Sequence, residues 1–276
     1  IRLVESGPAG GAILASFIAA ECGLPEVLSF DMGGTTAKIC LIDDGKPQSS
    51  RSFEVARVYR FMKGSGLPLR IPVIEMVEIG AGGGSIAYVD GLRRINVGPE
   101  SAGSEPGPAC YGRGGTAPPG ADPDLLLGRI DPDAFAGGRV QLDPAKSEQA
   151  IAEGVGKALG LSPVLAAFGI SEMVNENMAN AARVHAIERG KNVGTRAMVA
   201  FGGAAPLHAA RLAERLGIDR VIIPTGAGVG SAIGFLRAPI AYEVVRSRYM
   251  RLSAFDPEVV NGVLAEMQDE AYGVVR

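Results

Sequence analysis

Histidine is scarce in this chain: His185 and His208 are the two among 276 residues. Neither stands in motif spacing with a serine or cysteine, so no Ser-His-Asp or Cys-His nucleophile is indicated. Cysteine is scarce too. Cys22, Cys40 and Cys110 are an odd number, far apart and without metal-ligand spacing. They fit small core residues of a reduced, cytoplasmic protein. No apolar run reaches the roughly 20 residues that span a bilayer. No basic cluster offsets the net charge of −3. Neither nucleic acid nor a membrane surface is therefore expected as a main partner. No long internal repeat is visible. There is also no initiator Met, no signal peptide and no stop signal after the periodic stretch Glu258 to Val275. The expectation is a piece of a larger polypeptide, cut at both ends.

Glycine is abundant. The 39 glycines are about twice the average share, in an otherwise ordinary soluble composition of 47% hydrophobic and 21% charged residues. That length supports one large or two modest domains. The most informative cluster lies between Val27 and Asp44. An apolar run ends on Asp31, Gly33, Gly34, Thr35 and Thr36 follow, and a second apolar run, Ile39 to Ile42, ends at Asp43. This is a hairpin with a turn suited to an anion. Gly33 and Gly34 remove the Cβ atoms that would hold a phosphate off the backbone, and the threonines add hydroxyl donors. Asp31 would repel phosphate directly, so its role would be to hold hydrated Mg²⁺ or orient a water. An ordinary glycine-rich hairpin with Asp31 as turn cap explains the same string.

Along the chain, SGPAGG (Ser6 to Gly11) opens an alanine-rich helix running to about Glu21. It suits either an anion or tight helix packing. Strands are expected over Gln48 to Arg60, and over Leu69 to Ile79. The run Gly80 to Ser85 then leads into Ile86 to Val89. Glu75 and Glu78 precede that run. Either would serve as a base or metal ligand, or be a solvated strand-face carboxylate. Val97 to Asp131 reads as a long loop carrying Cys110, Tyr111 and Arg113, ordered on the substrate side. Helices are expected from Pro144 to about Leu159 and from Ser162 to Arg189. A strand (Arg196 to Phe201), a turn at Gly202 and Gly203, a helix (Leu207 to Leu216) and a buried strand (Val221 to Ile223) form a βαβ unit. Open α/β sheets bind ligands at such turns. His208, in the first helical turn, would touch a ligand or cap the helix. Pro224 to Gly234 is a further small-residue loop leading into a helix, and Tyr242 to Arg251 reads as a last strand.

These strings together resemble the hydantoinase A / 5-oxoprolinase family, which includes acetone-carboxylase subunits. They are SGPAGG, FDMGGTT (Phe30 to Thr36), IGAGGGSI (Ile79 to Ile86), VGPESAG (Val97 to Gly103) and PGPACYGRGG (Pro106 to Gly115). LGR ending at Arg129, ERG ending at Gly190, AFGG ending at Gly203 and PLH ending at His208 complete the set. The resemblance implies an α/β fold of the actin-like ATPase (ribonuclease H-like) type. One such domain would cover 1–276, with 97–131 an inserted substrate-side loop and 143–190 a helical segment. In related ATPases, ATP lies between two domains that each contribute a hairpin. The hairpin here resembles the second domain's phosphate loop, and Gly202 and Gly203 the adenosine-side turn. An N-terminal actin-like domain would then lie upstream in cis.

The implied chemistry is ATP- and Mg²⁺-dependent opening of a five-membered cyclic amide such as 5-oxoproline, a hydantoin or N-methylhydantoin. Gly33, Gly34, Thr35, Thr36, Gly82, Gly83, Gly202 and Gly203 would bind the cofactor. Asp31 and Glu78 would be catalytic, with Asp31 also on the metal. A B-type subunit would be the partner, and this piece alone would be inactive. An acetone-carboxylase-type activity and a non-catalytic nucleotide-binding or scaffold half-domain are the alternatives. Two positions depart from the family pattern: Lys38 stands where an aspartate is common, and Asp124 where an amide is.

Overall fold

The computed structural model describes residues 6–55 and 64–275. The expected opening segment, 1–5, and residues 56–63 lie outside them. The chain divides into two compact units, 1–237 and 238–276. In the first, helix α1 (Ser6–Glu21) leads into a hairpin of β1 (Glu26–Met32) and β2 (Ala37–Asp43). Short strands β3 (Lys46–Pro47), β4 (Ser49–Ser50), β5 (Phe53–Val55), β6 (Leu67–Leu69), β7 (Val73–Ile74) and β8 (Val77–Ile79) follow. The ribbon of β9 (Ser85–Val89) and β10 (Ile95–Ser101) precedes helices α2 (Ala121–Leu126), α3 (Pro144–Ile151), α4 (Lys157–Leu159) and α5 (Pro163–Ile187). A βαβ unit of β11 (Ala197–Phe201), α6 (Ala205–Leu216) and β12 (Val221–Ile222) comes next, then α7 (Gly230–Leu236).

The main sheet is mixed, in the order β12-β11-β1-β2-β3, with β8 also paired to β2. Strand β1 lies parallel to β11 and antiparallel to β2. It is flanked on both edges and covered on both faces, so it reads as a near-continuous apolar run. Leu28, Phe30 and Met32, with Ile39, Leu41, Met198 and Ala200, pack toward α5 and α6. Val27, Cys40, Ile42, Val199 and Phe201 pack toward α1. A buried leucine or phenylalanine contributes about 2–3 kcal/mol by leaving water, which makes this two-layered sheet the rigid frame of the unit.

The βαβ unit expected from the sequence is present, with Gly217 in the left-handed conformation after α6. Three elements differ. Strand β12 is a half-buried edge rather than a buried strand, and Ile223 is exposed. The helix expected through Leu159 is interrupted by a π-turn, Ala152–Gly156. A Cβ on Gly154 would meet Pro118 at 2.9 Å, so the wider turn fits the chain around that ring. The long loop from Val97 is largely built into structure: it begins in β10, and contains the 3₁₀ turn Ala109–Tyr111 and helix α2. In the second unit the expected strand from Tyr242 to Arg251 is irregular chain without a ladder partner among the described residues. Helix α8 (Pro257–Val275) follows, with no buried side chain. No single described helix is long and apolar enough to cross a membrane.

Candidate functional site

The hairpin turn between β1 and β2 is the centre of the site. Gly33 donates its N–H to the Thr36 carbonyl at 3.1 Å, closing the bend. The N–H groups of Gly34, Thr35 and Thr36 have no backbone acceptor among the described residues. A Cβ built on Gly33 or Gly34 would meet nothing within 4 Å. The outer surface of the turn is therefore open, and its amides are free for an anion.

The inner surface is sealed. Gly83 N–H donates to the Gly33 carbonyl at 3.1 Å, and Gly84 N–H to the Gly34 carbonyl at 2.5 Å. A Cβ on Gly82 would stand 2.6 Å from the Thr35 carbonyl carbon, so only glycine admits this approach. The second glycine run thus braces the first. Gly82 is buried beneath the turn, while Gly83 has open space beside it. The brace is itself held: Ala121 N–H, at the start of α2, donates to the Gly83 carbonyl at 2.7 Å.

Asp31, the next-to-last residue of β1, lies directly beside Phe201 of β11 and Lys38 of β2. Its Oδ2 accepts from the Ser231 hydroxyl at 2.8 Å. Burial pushes its pKa up, offset in part by Ser231 and the Lys38 charge. Two glycines wall it in. A Cβ on Gly11 of α1 would stand 3.2 Å from Oδ2, and one on Gly202 would stand 2.6 Å from Oδ1. Gly202 also has a φ of +95°, so the turn after β11 requires glycine twice over. Gly203, next to it, is exposed and open. Of the two roles open to SGPAGG, the structure displays packing: Gly10 lies against Ser231 and Phe235 of α7.

Lys38 and Glu78 are cross-strand partners on β2 and β8. The Lys38 ammonium lies 3.2 Å from Glu78 and 2.5 Å from the Thr36 hydroxyl. With Asp31 they form one row of alternating charge across the sheet. Glu78 is half exposed and counter-charged rather than a lone carboxylate.

Sequence reasoning read Asp122 as kept from the family pattern and Asp124 as replacing an amide, with a site there open, and left Ser231 unremarked. Ser231 was hidden in a string of small residues with no motif spacing to Asp31. Asp122 is fully buried and accepts from the N–H groups of Ala109 (3.0 Å) and Cys110 (2.8 Å) and from the Ser147 hydroxyl (2.6 Å). It anchors the Pro106 to Gly115 segment. Burial, and then the Asp122 charge, push the Cys110 thiol up, so it is an inert core residue. A surface cavity of about 300 Å³ lies against that segment, lined by its Gly112 together with residues including Thr116, Lys146 and Gln149. None of the hairpin or Gly202 residues lines it, so the site is placed by its backbone geometry rather than by that cavity.

A family profile described as Hydantoinase/oxoprolinase matches residues 1–244. The chain belongs to the hydantoinase/oxoprolinase family. The caprolactamase subunit alpha of Pseudomonas jessenii is 35% identical over 271 residues, covering 98% of this chain and 38% of that protein. In structure, the family fold is shared with a nucleotide-free ATP-dependent acetone carboxylase. Its TM-score is 0.82 at 29% identity, over 98% of this chain and 37% of that one. The ATP-dependent caprolactamase from Pseudomonas jessenii matches with a TM-score of 0.77 at 34% identity, over 96% and 38%. This hydantoinase/oxoprolinase-family chain therefore spans under two-fifths of the length of these relatives.

Proposed function

We propose that this chain forms one wall of an actin-like ATPase site that drives the opening of a cyclic amide. One observation carries this reading: the Gly33–Thr36 turn is open outward and rigidly braced inward, with a half-buried carboxylate, Asp31, at its base. Gly34, Thr35 and Thr36 hold phosphate oxygens through backbone N–H and hydroxyl donors. Gly203 gives a nucleotide close access at the opposite turn, and Gly202 shapes that turn around Asp31. Gly82 and Gly83 support the phosphate turn from beneath.

Among the described residues no group of three His, Cys, Asp or Glu side chains is arranged to hold a metal. A lone carboxylate suits Mg²⁺, which keeps most of its waters and shares phosphate oxygens. Asp31 would hold it through those waters, and the ion would neutralise charge on the transferring phosphoryl. Ser231 fixes the Asp31 rotamer for that task. Lys38, tethered by Thr36 and Glu78, adds positive charge at the rim. Glu78 would act on the substrate side only by exchanging its Lys38 contact.

An amide carbonyl is a poor electrophile. Transfer of the γ-phosphoryl to its oxygen, with ADP leaving, activates the carbon. Water then adds there, the ring C–N bond breaks, and the nitrogen leaves as an amine after taking up a proton. A second water releases phosphate from the acyl phosphate. The protein supplies position and electrostatic stabilisation. A five- to seven-membered lactam or hydantoin is the substrate class, with a B-type subunit as partner and the second hairpin elsewhere in the longer polypeptide.

The likeness to an acetone carboxylase favours a second reading, in which a phosphorylated enol is carboxylated. Phosphate release by the full-length protein with its partner separates the two. Lactam-dependent release without bicarbonate supports ring opening, and a bicarbonate requirement supports carboxylation. In either case Asp31→Asn lowers turnover by about 10²–10⁴-fold. The same variant raises the melting temperature at neutral pH. A carboxyl whose folded pKa is raised withdraws stability as pH climbs above its unfolded value, and the amide removes that cost.

A further inference from the structure

Behind the turn lies a buried polar cluster that the proposed reaction does not use. His208, in the first turn of α6, has its Nδ1 3.1 Å from Asn175 Oδ1 on α5. Its Nε2 stands 3.1 Å from Asp124 Oδ2 on α2. Asp124 Oδ1 accepts from Arg129 Nη1 at 2.8 Å, and the same nitrogen donates to the Ser171 hydroxyl at 2.6 Å. His208, Asp124, Asn175 and Ser171 are each at least 98% buried. Two nitrogens remain poorly satisfied among the described residues: Asn175 Nδ2 has no acceptor, and His208 Nε2 lies 3.1 Å from Asp124 Oδ2 without forming a hydrogen bond.

The cluster joins the two glycine turns of the site. Helix α6, which carries His208, begins directly after Gly202 and Gly203. Helix α2, which carries Asp124, begins with the Ala121 N–H bond to Gly83, and Gly83 holds Gly33. We infer that His208 and Asp124 are a positioning pair that sets the spacing between the phosphate turn and the Gly202–Gly203 turn. This rests on the nucleotide reading given above. In this pair the His208 Nε2–H faces Asp124, which Arg129 also holds. The bare His208 Nδ1 then accepts from Asn175 once that amide is turned over, which gives Asn175 Nδ2 the partner it lacks.

The test is Mg·ATP titration of the full-length protein, read beside melting temperature. His208→Leu weakens affinity by about tenfold or more. His208→Gln, whose amide nitrogen reproduces the Nε2–H donor, recovers most of it. Leu212→Ala, buried on the same helix but outside the cluster, lowers the melting temperature without moving affinity. If His208→Leu does not fold, the isosteric Asp124→Asn is read in its place, with the same weakening expected. Unchanged affinity in His208→Leu or Asp124→Asn, or an equal loss in Leu212→Ala, overturns the inference while leaving the nucleotide reading intact. Wild-type protein that binds no Mg·ATP overturns both.

Discussion

Asp31, Gly202 and Gly203 show how neighbouring residues can serve one site in opposite ways. Gly203 faces open space, whereas a Cβ on Gly202 would meet Met32 O at 2.5 Å and Asp31 Oδ1 at 2.6 Å. Gly202→Ala should therefore cost about 1–3 kcal/mol of stability, because φ is positive and the space is occupied. Gly203→Ala should leave the melting temperature within about a degree of wild type, and any loss of nucleotide affinity it causes reports a ligand at that turn. Thermal melts and nucleotide titrations of the two variants check this; equal destabilisation would contradict it. In sequence the two glycines look alike. The acidic residue and the glycines of the hairpin were legible, because strand periodicity ends on them. Ser231 was not, because the hydroxyl that holds Asp31 lies 200 positions away. Nor was the pairing of Glu78 with Lys38, which depends on the register of two strands separated by five short ones.

At the scale of elements, the strong apolar runs and glycine stops of β1, β2, α5, β11 and α6 were readable, since burial on both faces or along one stripe leaves a periodic trace. The π-turn after α3 and the irregular chain after Ala238 were not, since tertiary contact and the absence of a pairing strand decide them. The far end of the sheet depends on Arg196. It is 1% exposed, and donates to the Ile42 carbonyl at 3.1 Å and to Asp43 Oδ1 at 2.6 Å. Burial acts to raise the Asp43 pKa, but the bonds from Arg196 and Lys191 outweigh it, so the net shift is downward. Stability from this contact is fully present above the unfolded carboxyl value and is lost as pH falls through the lower folded one. Arg196→Met should cost about 2–4 kcal/mol at neutral pH, by removing a buried donor from the Ile42 carbonyl and one of the two cations that hold Asp43. It should also flatten the acid limb below about pH 4. Denaturant melts across pH test both, and a variant with the wild-type acid limb would contradict this role.

At the scale of the molecule, the chain supplies a rigid sheet whose carboxyl ends carry an open glycine-threonine turn, a second glycine turn and one half-buried carboxylate. Its relatives are more than twice as long, and under the proposed reading a second domain of that kind would complete the nucleotide site. The central claim is that phosphates lie on the outer face of the Gly33–Thr36 turn. The most direct measurement is a structure of the full-length protein with Mg²⁺ and a non-hydrolysable ATP analogue. The account predicts phosphate oxygens about 2.7–3.2 Å from the Gly34 and Thr35 backbone nitrogens, with the metal hydration shell against Asp31. An analogue bound elsewhere, with that turn facing only solvent, would contradict it.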